Sequence, residues 1–441
     1  MRPGSNALRA MLPLIGGVAL ALATLAYRHD RQVYFHVLKF LIITPWPTPF
    51  IDAQQFPALV RCFRHGVDVY VNPSCDPLGR GMDYSPLWLR ADFLPRWSNW
   101  MGLVLDGGFL ASLALLPPVR GAGGMIVMLL ALFSSASVFA LERANMDVLM
   151  FGLAAVGGWL LARHLVLRLA GYGLIGFAGL LKFYPLVLLL LFLRERVRVF
   201  IALCAVALVI LGAFVWRFHG ELRELVGNLP KLSSFTNGFG SREFSGGFEM
   251  ALGWIFGGMR VPGPVVNVAM PHPMIAVDVL VLLGIAAFTF AAQIATRADF
   301  RTAFEGLARD EKTFLVIGAT LICGCFLVGQ NGDYREIHLL FVLPGLMALA
   351  AAPGVGRLFR ITSFAIVFEM WGLALQQIIA EISGGQALPI GGSSVIYLYW
   401  IVRELLWWGI IAVLLAVLFC FVAESPVWRG LMRFRTRSHA G

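Results

Sequence analysis

Apolar stretches long enough to cross a lipid bilayer recur along the whole chain of 441 residues. Hydrophobic residues make up 59% of the sequence and charged residues only 14%, whereas soluble domains carry about a quarter charged residues. No compact hydrophilic stretch separates the apolar segments. Because lipid offers backbone polar groups no outside partner, such segments are helical. The sequence therefore predicts one all-α integral membrane domain covering residues 1–441.

The apolar segments divide into about ten full membrane spans. We predict these spans at 10–27, 102–118, 124–141, 147–162, 199–216, 274–292, 313–329, 337–353, 361–380 and 397–422. The segment 169–193 is different, because Pro185 interrupts it and disfavours a continuous helix. A single span here would also place the basic run 194–198 on the outer side. We therefore predict a re-entrant pair of half-helices, which membranes tolerate where it lines a cavity.

The net charge of +10 comes largely from arginines clustered in short loops, the pattern of cytoplasmic loops. It does not indicate nucleic-acid binding. This pattern predicts an inner-membrane protein with an uncleaved first span and both termini in the cytoplasm. Arg28 and Arg31 conflict with it, since they follow the first span on the outer side.

With this topology, two long loops, 28–100 and 217–273, lie outside the cytoplasm and are expected to form the roof of an active site. Short helices are predicted within them at Phe35–Ile43 and Glu221–Leu229. The polar turns 141–147 and 330–338 fall on the same face, although the spans were assigned without reference to them. That coincidence favours a single external site.

The six cysteines divide into two groups. Four lie in apolar segments, where a small buried side chain is the usual role. Cys62 and Cys75 share the first long loop, where an oxidising compartment would permit a disulfide. The sequence leaves the disulfide and two free thiols equally open. None of the cysteines has the spacing of a zinc site.

Two charged residues are candidates for chemistry. Asp52 stands in a predicted short helix near the membrane surface, where a carboxylate can act as a general base. A helix-capping or solvated aspartate is the plainer alternative. Lys182 lies in an apolar region, and an intramembrane cation is a functional hypothesis by default. Its alternative is a side chain that extends to the interface.

The turn at 141–147 has two interpretations. Arg143 and Asp147 are four residues apart and can pair on one helix face. Alternatively, Asn145 and Asp147 hydrogen-bond a polar substrate while Arg143 faces a phosphate.

The turn at 330–338 is rich in polar groups, and Arg335 there could clamp a phosphate through two hydrogen bonds. Tyr70 and Tyr84 could stack on sugar rings or belong to the interfacial aromatic belt. The loop 231–249 suits a mobile lid or acceptor site. Glu369, near the middle of a span, is expected to be paired or protonated.

At these residues the chain resembles the polytopic membrane glycosyltransferases of the C superfamily (GT-C). It most resembles glycosyltransferase family 87, the polyprenol-phosphate-mannose-dependent mannosyltransferase-like group. The motifs that carry the resemblance run in order through nearly the whole chain: Asp52; Gly66-x-Asp68-x-Tyr70; Tyr84-x-Pro86; Arg143-x-Asn145-x-Asp147; Lys182-x-Tyr184-Pro185; Asp333-Tyr334-Arg335. Family members often carry Gly or Gln where Glu142 or Arg143 stands, and the loop 231–249 matches no family motif.

The resemblance implies a GT-C-like helix bundle and an inverting transfer of a mannose-like hexose or pentose from a polyprenyl-phosphate donor to a glycan or lipid acceptor. Asp52 would deprotonate the acceptor hydroxyl. The residues implied in binding the donor phosphate are Lys182, Arg143 and Arg335. Those implied in binding the rest of the substrates are Asp68, Tyr70, Tyr84, Asn145, Asp147, Tyr184, Asp333, Tyr334 and His338. No cofactor is implied and no metal is obligatory, although the carboxylates of the first loop keep a divalent ion open.

Two other functions are compatible with the sequence. A transporter or lipid flippase would use the same broken helix and intramembrane polar groups as a translocation path. Transporters often have matching halves, whereas the polar loops here are unequal and lie on one side. The other possibility is a non-catalytic scaffold in envelope assembly, which would tolerate substitution of Asp52.

Overall fold

The computed structural model describes residues 4–41, 45–119, 121–229, 238–245, 247–248, 273–384 and 394–438. Its α-helices are α1 (Gly4–His29), α2 (Arg31–Phe40), α3 (Ile51–Arg64), α4 (Leu94–Trp97), α5 (Met101–Ser112), α6 (Gly121–Leu132), α7 (Ser135–Arg143), α8 (Met146–Leu161), α9 (Leu165–Leu181), α10 (Val197–Gly227), α11 (Pro273–Thr296), α12 (Ala298–Glu305), α13 (Arg309–Val328), α14 (Leu339–Leu349), α15 (Gly356–Met370), α16 (Gly372–Ile382), α17 (Ser394–Glu424) and α18 (Pro426–Ser438). Further 3-10 helices span Pro73–Cys75, Pro86–Arg90, Leu113–Leu115, Tyr184–Arg194 and Asp333–His338. Two strands, β1 (Gly238–Gly240) and β2 (Gln330–Gly332), pair antiparallel.

Five of the described helices are long and apolar enough to cross a membrane, namely α1, α10, α11, α13 and α17. The pairs α6–α7 and α15–α16 are bent by 48° and 65°, and they raise the number to seven if each pair is one span. The protein is therefore an all-α, multi-pass membrane protein, as predicted. The expected spans 102–118, 147–162 and 337–353 contain only shorter helices, so the count of about ten spans remains a prediction.

The segment 165–194 folds back on itself at the predicted break. Helix α9 ends at Leu181, Lys182 is extended, and the chain continues as the 3-10 helix Tyr184–Arg194. The hydroxyl of Tyr172, in the first arm, donates a hydrogen bond of 2.8 Å to Glu195, just beyond the second arm. The two arms therefore lie side by side, and Lys182 stands at the tip between them.

Small residues allow the central helices to approach closely. Helix α8 packs against α9 and α13. A Cβ atom at Gly157 would lie 2.9 Å from Ile175, and one at Gly158 would lie 2.7 Å from Ile317. Neither site has room for a side chain, which is how small residues bring membrane helices together. The C-terminal part of α8, which carries both glycines, therefore packs closely against α9 and α13.

Helix α10 contains a kink near the end of its apolar stretch. The sequence predicts a span at 199–216 followed by a separate helix at Glu221–Leu229. In the structure the element Val197–Gly227 is interrupted by non-helical backbone angles at Phe218, so it consists of two helical parts that meet at a kink. Only 6% of its most apolar stretch is buried against the protein. Its apolar side chains therefore face outward, where lipid is the suitable solvent.

The first long loop is ordered by contacts within itself. Cys62 of α3 and Cys75 form a disulfide, which decides between the alternatives left by the sequence. The side-chain amide of Asn228, after α10, donates to the backbone carbonyls of Tyr70 and Met82. Of the predicted lid at 231–249, the structure describes 238–245 and 247–248, including β1, whereas 231–237, 246 and 249 lie outside the described residues.

Candidate functional site

Asp52 lies in the first turn of α3 and is only 2% exposed. Its Oδ2 accepts a hydrogen bond of 2.7 Å from the side-chain amide of Asn145. Its Oδ1 accepts no hydrogen bond from the residues that the structure describes, but Arg80 lies 3.6 Å and Arg143 3.8 Å away. The alternative of a helix-capping or solvated aspartate is wrong, because Phe50 is the N-cap residue and Asp52 is buried.

Asn145 connects Asp52 to a second charged pair. Helix α7 ends at Arg143, Ala144 adopts a left-handed conformation with φ 44°, and Asn145 caps α8 by accepting from the Asp147 amide. The Asn145 Oδ1 also lies 3.3 Å from Lys182 Nζ. This helix break separates Arg143 from Asp147, so the predicted pairing on one helix face is wrong. Arg143 faces Asp52 instead, whereas Asp147 faces Lys182.

Lys182, at the tip of the folded-back segment, donates a 2.8 Å hydrogen bond to Asp147. Three tyrosine rings surround its ammonium group: the centroids of Tyr84, Tyr334 and Tyr184 lie 5.1, 5.7 and 5.9 Å from Nζ. Aromatic faces at this distance attract a cation. The buried ammonium group is thus held by Asp147 and surrounded by aromatic rings.

Arg335 and His338 come from the 3-10 helix Asp333–His338. Arg335 Nε lies 3.7 Å from Asp147, its guanidinium covers the Tyr184 ring at 4.8 Å, and it donates to the Asn331 side chain. The hydroxyl of Tyr184 lies 2.6 Å from His338 Nε2. The structure thus brings Arg335, Tyr184 and His338 to the same place as Lys182.

Sequence reasoning missed Arg80, which the first loop holds against Asp52. Arg80 Nε donates to Asp76 at 2.9 Å, and Gln55 of α3 bonds to both Asp76 and Arg80. Asp83 stands nearby, and burial raises the pKa of its carboxyl. Arg80 lies in a loop of ordinary turn residues, so nothing local in the sequence marks it.

We refer to this group of side chains as the Asp52 site. Its charged members near Asp52 and Asp147 are four cations, Arg80, Arg143, Lys182 and Arg335, and three carboxylates, Asp52, Asp76 and Asp147. Asp83 is a fourth carboxyl group beside Arg80 and Lys182. Four cations held close together in a largely buried site favour an anionic ligand.

Two predicted substrate residues have other surroundings. Asp68 is exposed and accepts a hydrogen bond from the backbone N–H of Tyr70. Tyr70 is buried beside α10, and burial there raises the pKa of its hydroxyl. The partners that the structure gives them are atoms of the loop and of the end of α10, not members of the Asp52 site.

Asp333 belongs to a different buried group. Arg403 of α17 lies 3.0 Å from Asp333, 3.4 Å from both Glu336 and Glu369, and 3.3 Å from Glu404. We call these five residues the Arg403 cluster. Glu369 is paired with Arg403 in this cluster, and pairing is one of the two states, paired or protonated, that the sequence predicts. The missed signal was the pair Arg403–Glu404 inside an apolar helix, since intramembrane charges usually have a function.

Comparison with known proteins adds no relative. No protein-family model, curated protein or solved structure matches this chain. The resemblance to family 87 therefore rests on the motifs alone. Across the described ranges, no three His, Cys, Asp or Glu side chains are arranged to hold a metal ion.

Proposed function

We propose that the protein is an inverting glycosyltransferase of the GT-C type, which moves a mannose-like hexose or a pentose from a polyprenyl-phosphate donor to an acceptor hydroxyl. One observation carries the proposal. The Asp52 carboxylate is buried between two arginines. Its Oδ2 is hydrogen-bonded, whereas its Oδ1 accepts no hydrogen bond from the described residues. A general base that serves an anionic substrate needs this combination.

Asp52 is the proposed base. Asn145 holds Oδ2, so that Oδ1 stays directed towards Arg80 and Arg143. An acceptor hydroxyl that donates to Oδ1 gives its proton to Asp52 as its oxygen bonds to the anomeric carbon. The bond from that carbon to the donor phosphate oxygen breaks, and its electron pair leaves with polyprenyl phosphate. A phosphate leaves without a protein acid.

The leaving phosphate gains negative charge as the bond breaks. Cations already fixed around that position stabilise this charge without reorganising, which is the largest usual source of catalysis. Arg80 and Arg143 are closest to Asp52, while Lys182 and Arg335 are held by Asp147. The three tyrosine rings around Lys182 provide apolar faces on which a sugar can stack.

The placement of the reaction follows the charge pattern. We infer a cell inner-membrane protein of about ten spans, with both termini cytoplasmic and the loops 28–100 and 217–273 outside. The Cys62–Cys75 disulfide supports an external first loop, because disulfides persist in oxidising compartments. The donor would arrive as an already activated lipid, and the acceptor would be an envelope glycan or glycolipid.

The test is sugar transfer by purified, lipid-reconstituted protein with synthetic polyprenyl-phosphate sugars and a panel of glycan and lipid acceptors. We expect Asp52→Asn to lower kcat about 10²- to 10⁴-fold, the usual contribution of a general base. Asp106→Asn is the matched control, because Asp106 is equally buried but lies in α5 outside the Asp52 site.

Two other outcomes of the transfer assay would change the assignment of the base or of the function. Equal rates for Asp52→Asn and wild type would move the base to another carboxylate. Absence of transfer from every donor and acceptor tested would refute the enzyme and favour the transporter or flippase, for which lipid movement across vesicles is the assay.

A further inference from the structure

The Arg403 cluster contains far more acid than base. One guanidinium lies within 3.4 Å of four carboxyl groups, and Arg403, Glu336, Glu369 and Glu404 are each 2% exposed or less. Two other titratable groups lie near the cluster in the part of the chain that the structure describes. Glu243 is fully buried near Glu404, and the Tyr399 hydroxyl donates a hydrogen bond to the Gly372 carbonyl.

Four ionised carboxylates cannot share one cation in a buried site. Like charges this close disfavour the ionised state of their neighbours, and burial disfavours it further. Both carboxyl oxygens of Glu369 accept no hydrogen bond in the described part of the chain, and the nearby cation is Arg403, which the other three carboxyl groups share. Protons on some of these carboxyl groups would relieve the repulsion.

The cluster lies directly behind the Asp52 site. Asp333 and Glu336 of the helix Asp333–His338 face Arg403, whereas Arg335 of the same helix faces Asp147. Arg403 Nη1 also donates to the carbonyl of Gly238, in the strand that pairs with β2 just before this helix. The position of Arg335 therefore depends on how Asp333 and Glu336 are held.

We propose that the Arg403 cluster is a proton-holding centre that positions Arg335 for the donor phosphate. The protons retained by its carboxyl groups allow Asp333 and Glu336 to remain in contact with Arg403. When alkaline pH removes them, repulsion among the carboxylates displaces the helix Asp333–His338, and Arg335 moves with it. The positioning effect rests on the proposed function, whereas the retention of protons does not.

The first experiment measures protons without any activity. A folded state that holds more protons than the unfolded chain loses stability as pH rises, and each retained proton changes the unfolding equilibrium about tenfold per pH unit. We therefore expect the unfolding constant of wild type to rise with pH from neutral to mildly alkaline conditions. The double variant Glu369→Gln/Glu404→Gln should fold and should have a clearly flatter dependence, because glutamine resembles the neutral acid.

A control variant separates this effect from general burial of charge. Glu195 is buried but is balanced by Arg168 at 2.8 Å, so Glu195→Gln should leave the pH slope unchanged. The proposal is overturned if wild type and the double variant have the same slope. It is also overturned if the double variant fails to fold at any pH, because that outcome indicates ionised carboxylates that Arg403 requires.

The second experiment concerns the Asp52 site. In the transfer assay, we expect the KM of wild type for the polyprenyl-phosphate sugar to rise at alkaline pH, and the double variant to lose much of that rise. The kcat of both should agree at neutral pH. If neither protein transfers sugar, the proposed function fails while the stability slopes still decide the proton question. If slopes differ but the KM profiles coincide, the positioning role is wrong.

Discussion

The ion pair between Lys182 and Asp147 provides the sharpest test of the Asp52 site as a buried electrostatic unit. Replacing Lys182 with methionine keeps the length and apolar stem of the side chain but removes its charge. Asp147, which is fully buried, then loses the partner that lies 2.8 Å away.

The expected cost follows from the distances. Unit charges 2.8 Å apart attract by about 6 kcal/mol at an effective dielectric constant of about 20. Removing one partner of a buried pair costs about 3 to 5 kcal/mol, because a charge is left uncompensated. Arg335 remains 3.7 Å from Asp147 and still attracts it. We therefore expect Lys182→Met to lower the free energy of unfolding by about 3 kcal/mol, near the lower end of that range.

The assay is reversible unfolding of the purified protein in mixed micelles. It compares the single variants Lys182→Met and Asp147→Asn with the double variant Lys182→Met/Asp147→Asn. The double variant should cost about 2 kcal/mol less than the sum of the singles, as expected for contacting residues. Lys312→Met is the control, since Lys312 and Glu424 are 3.1 Å apart but partly exposed, and its cost should stay below about 1 kcal/mol. Additive single variants, or equal costs at Lys182 and Lys312, would refute the buried pair.

Two further predictions concern the first loop. Replacing Cys62 and Cys75 with serine should lower the free energy of unfolding by about 3 kcal/mol. Alkylation of denatured wild-type protein should label four cysteines before reduction and six after it. Six labelled cysteines without reductant would exclude the disulfide. Because burial raises the pKa of Asp83, the folded state binds the extra proton, and stability falls as pH rises from the ordinary value of 3.8 to the raised pKa. Asp83→Asn should remove that part of the pH dependence, and superimposable melting profiles of the two proteins across this range would contradict it.

The sequence predicted the elements that depend on local patterns. Apolar length identified the helical membrane class, and Pro185 marked the break at which the chain turns back. Short-range polar motifs also brought out Asp52, Asn145, Asp147 and Lys182, which the structure brings together. Each of these signals needs only a few neighbouring residues.

The remainder depends on contacts between distant segments, which one sequence does not encode visibly. Arg80 is important because Asp76 and Gln55 direct it towards Asp52, yet its own neighbourhood is an ordinary loop. Asp333 was grouped with Arg335 because both belong to the motif Asp333-Tyr334-Arg335, but side chains on different faces of a 3-10 helix enter different sites.

Both ionic partners of Asp147 are synthesised after Asp147 itself. The ribosome produces Asp147 before Lys182 and long before Arg335, yet all three end within one buried contact. The sequence predicts that α8 enters the bilayer, and until Lys182 is made the Asp147 carboxylate lacks this partner, which is costly for an acid in lipid. We therefore expect nascent chains that stop before Lys182 to insert α8 poorly and to be recognised by membrane quality control. Stable insertion of a newly made chain would then depend on synthesis of the folded-back segment.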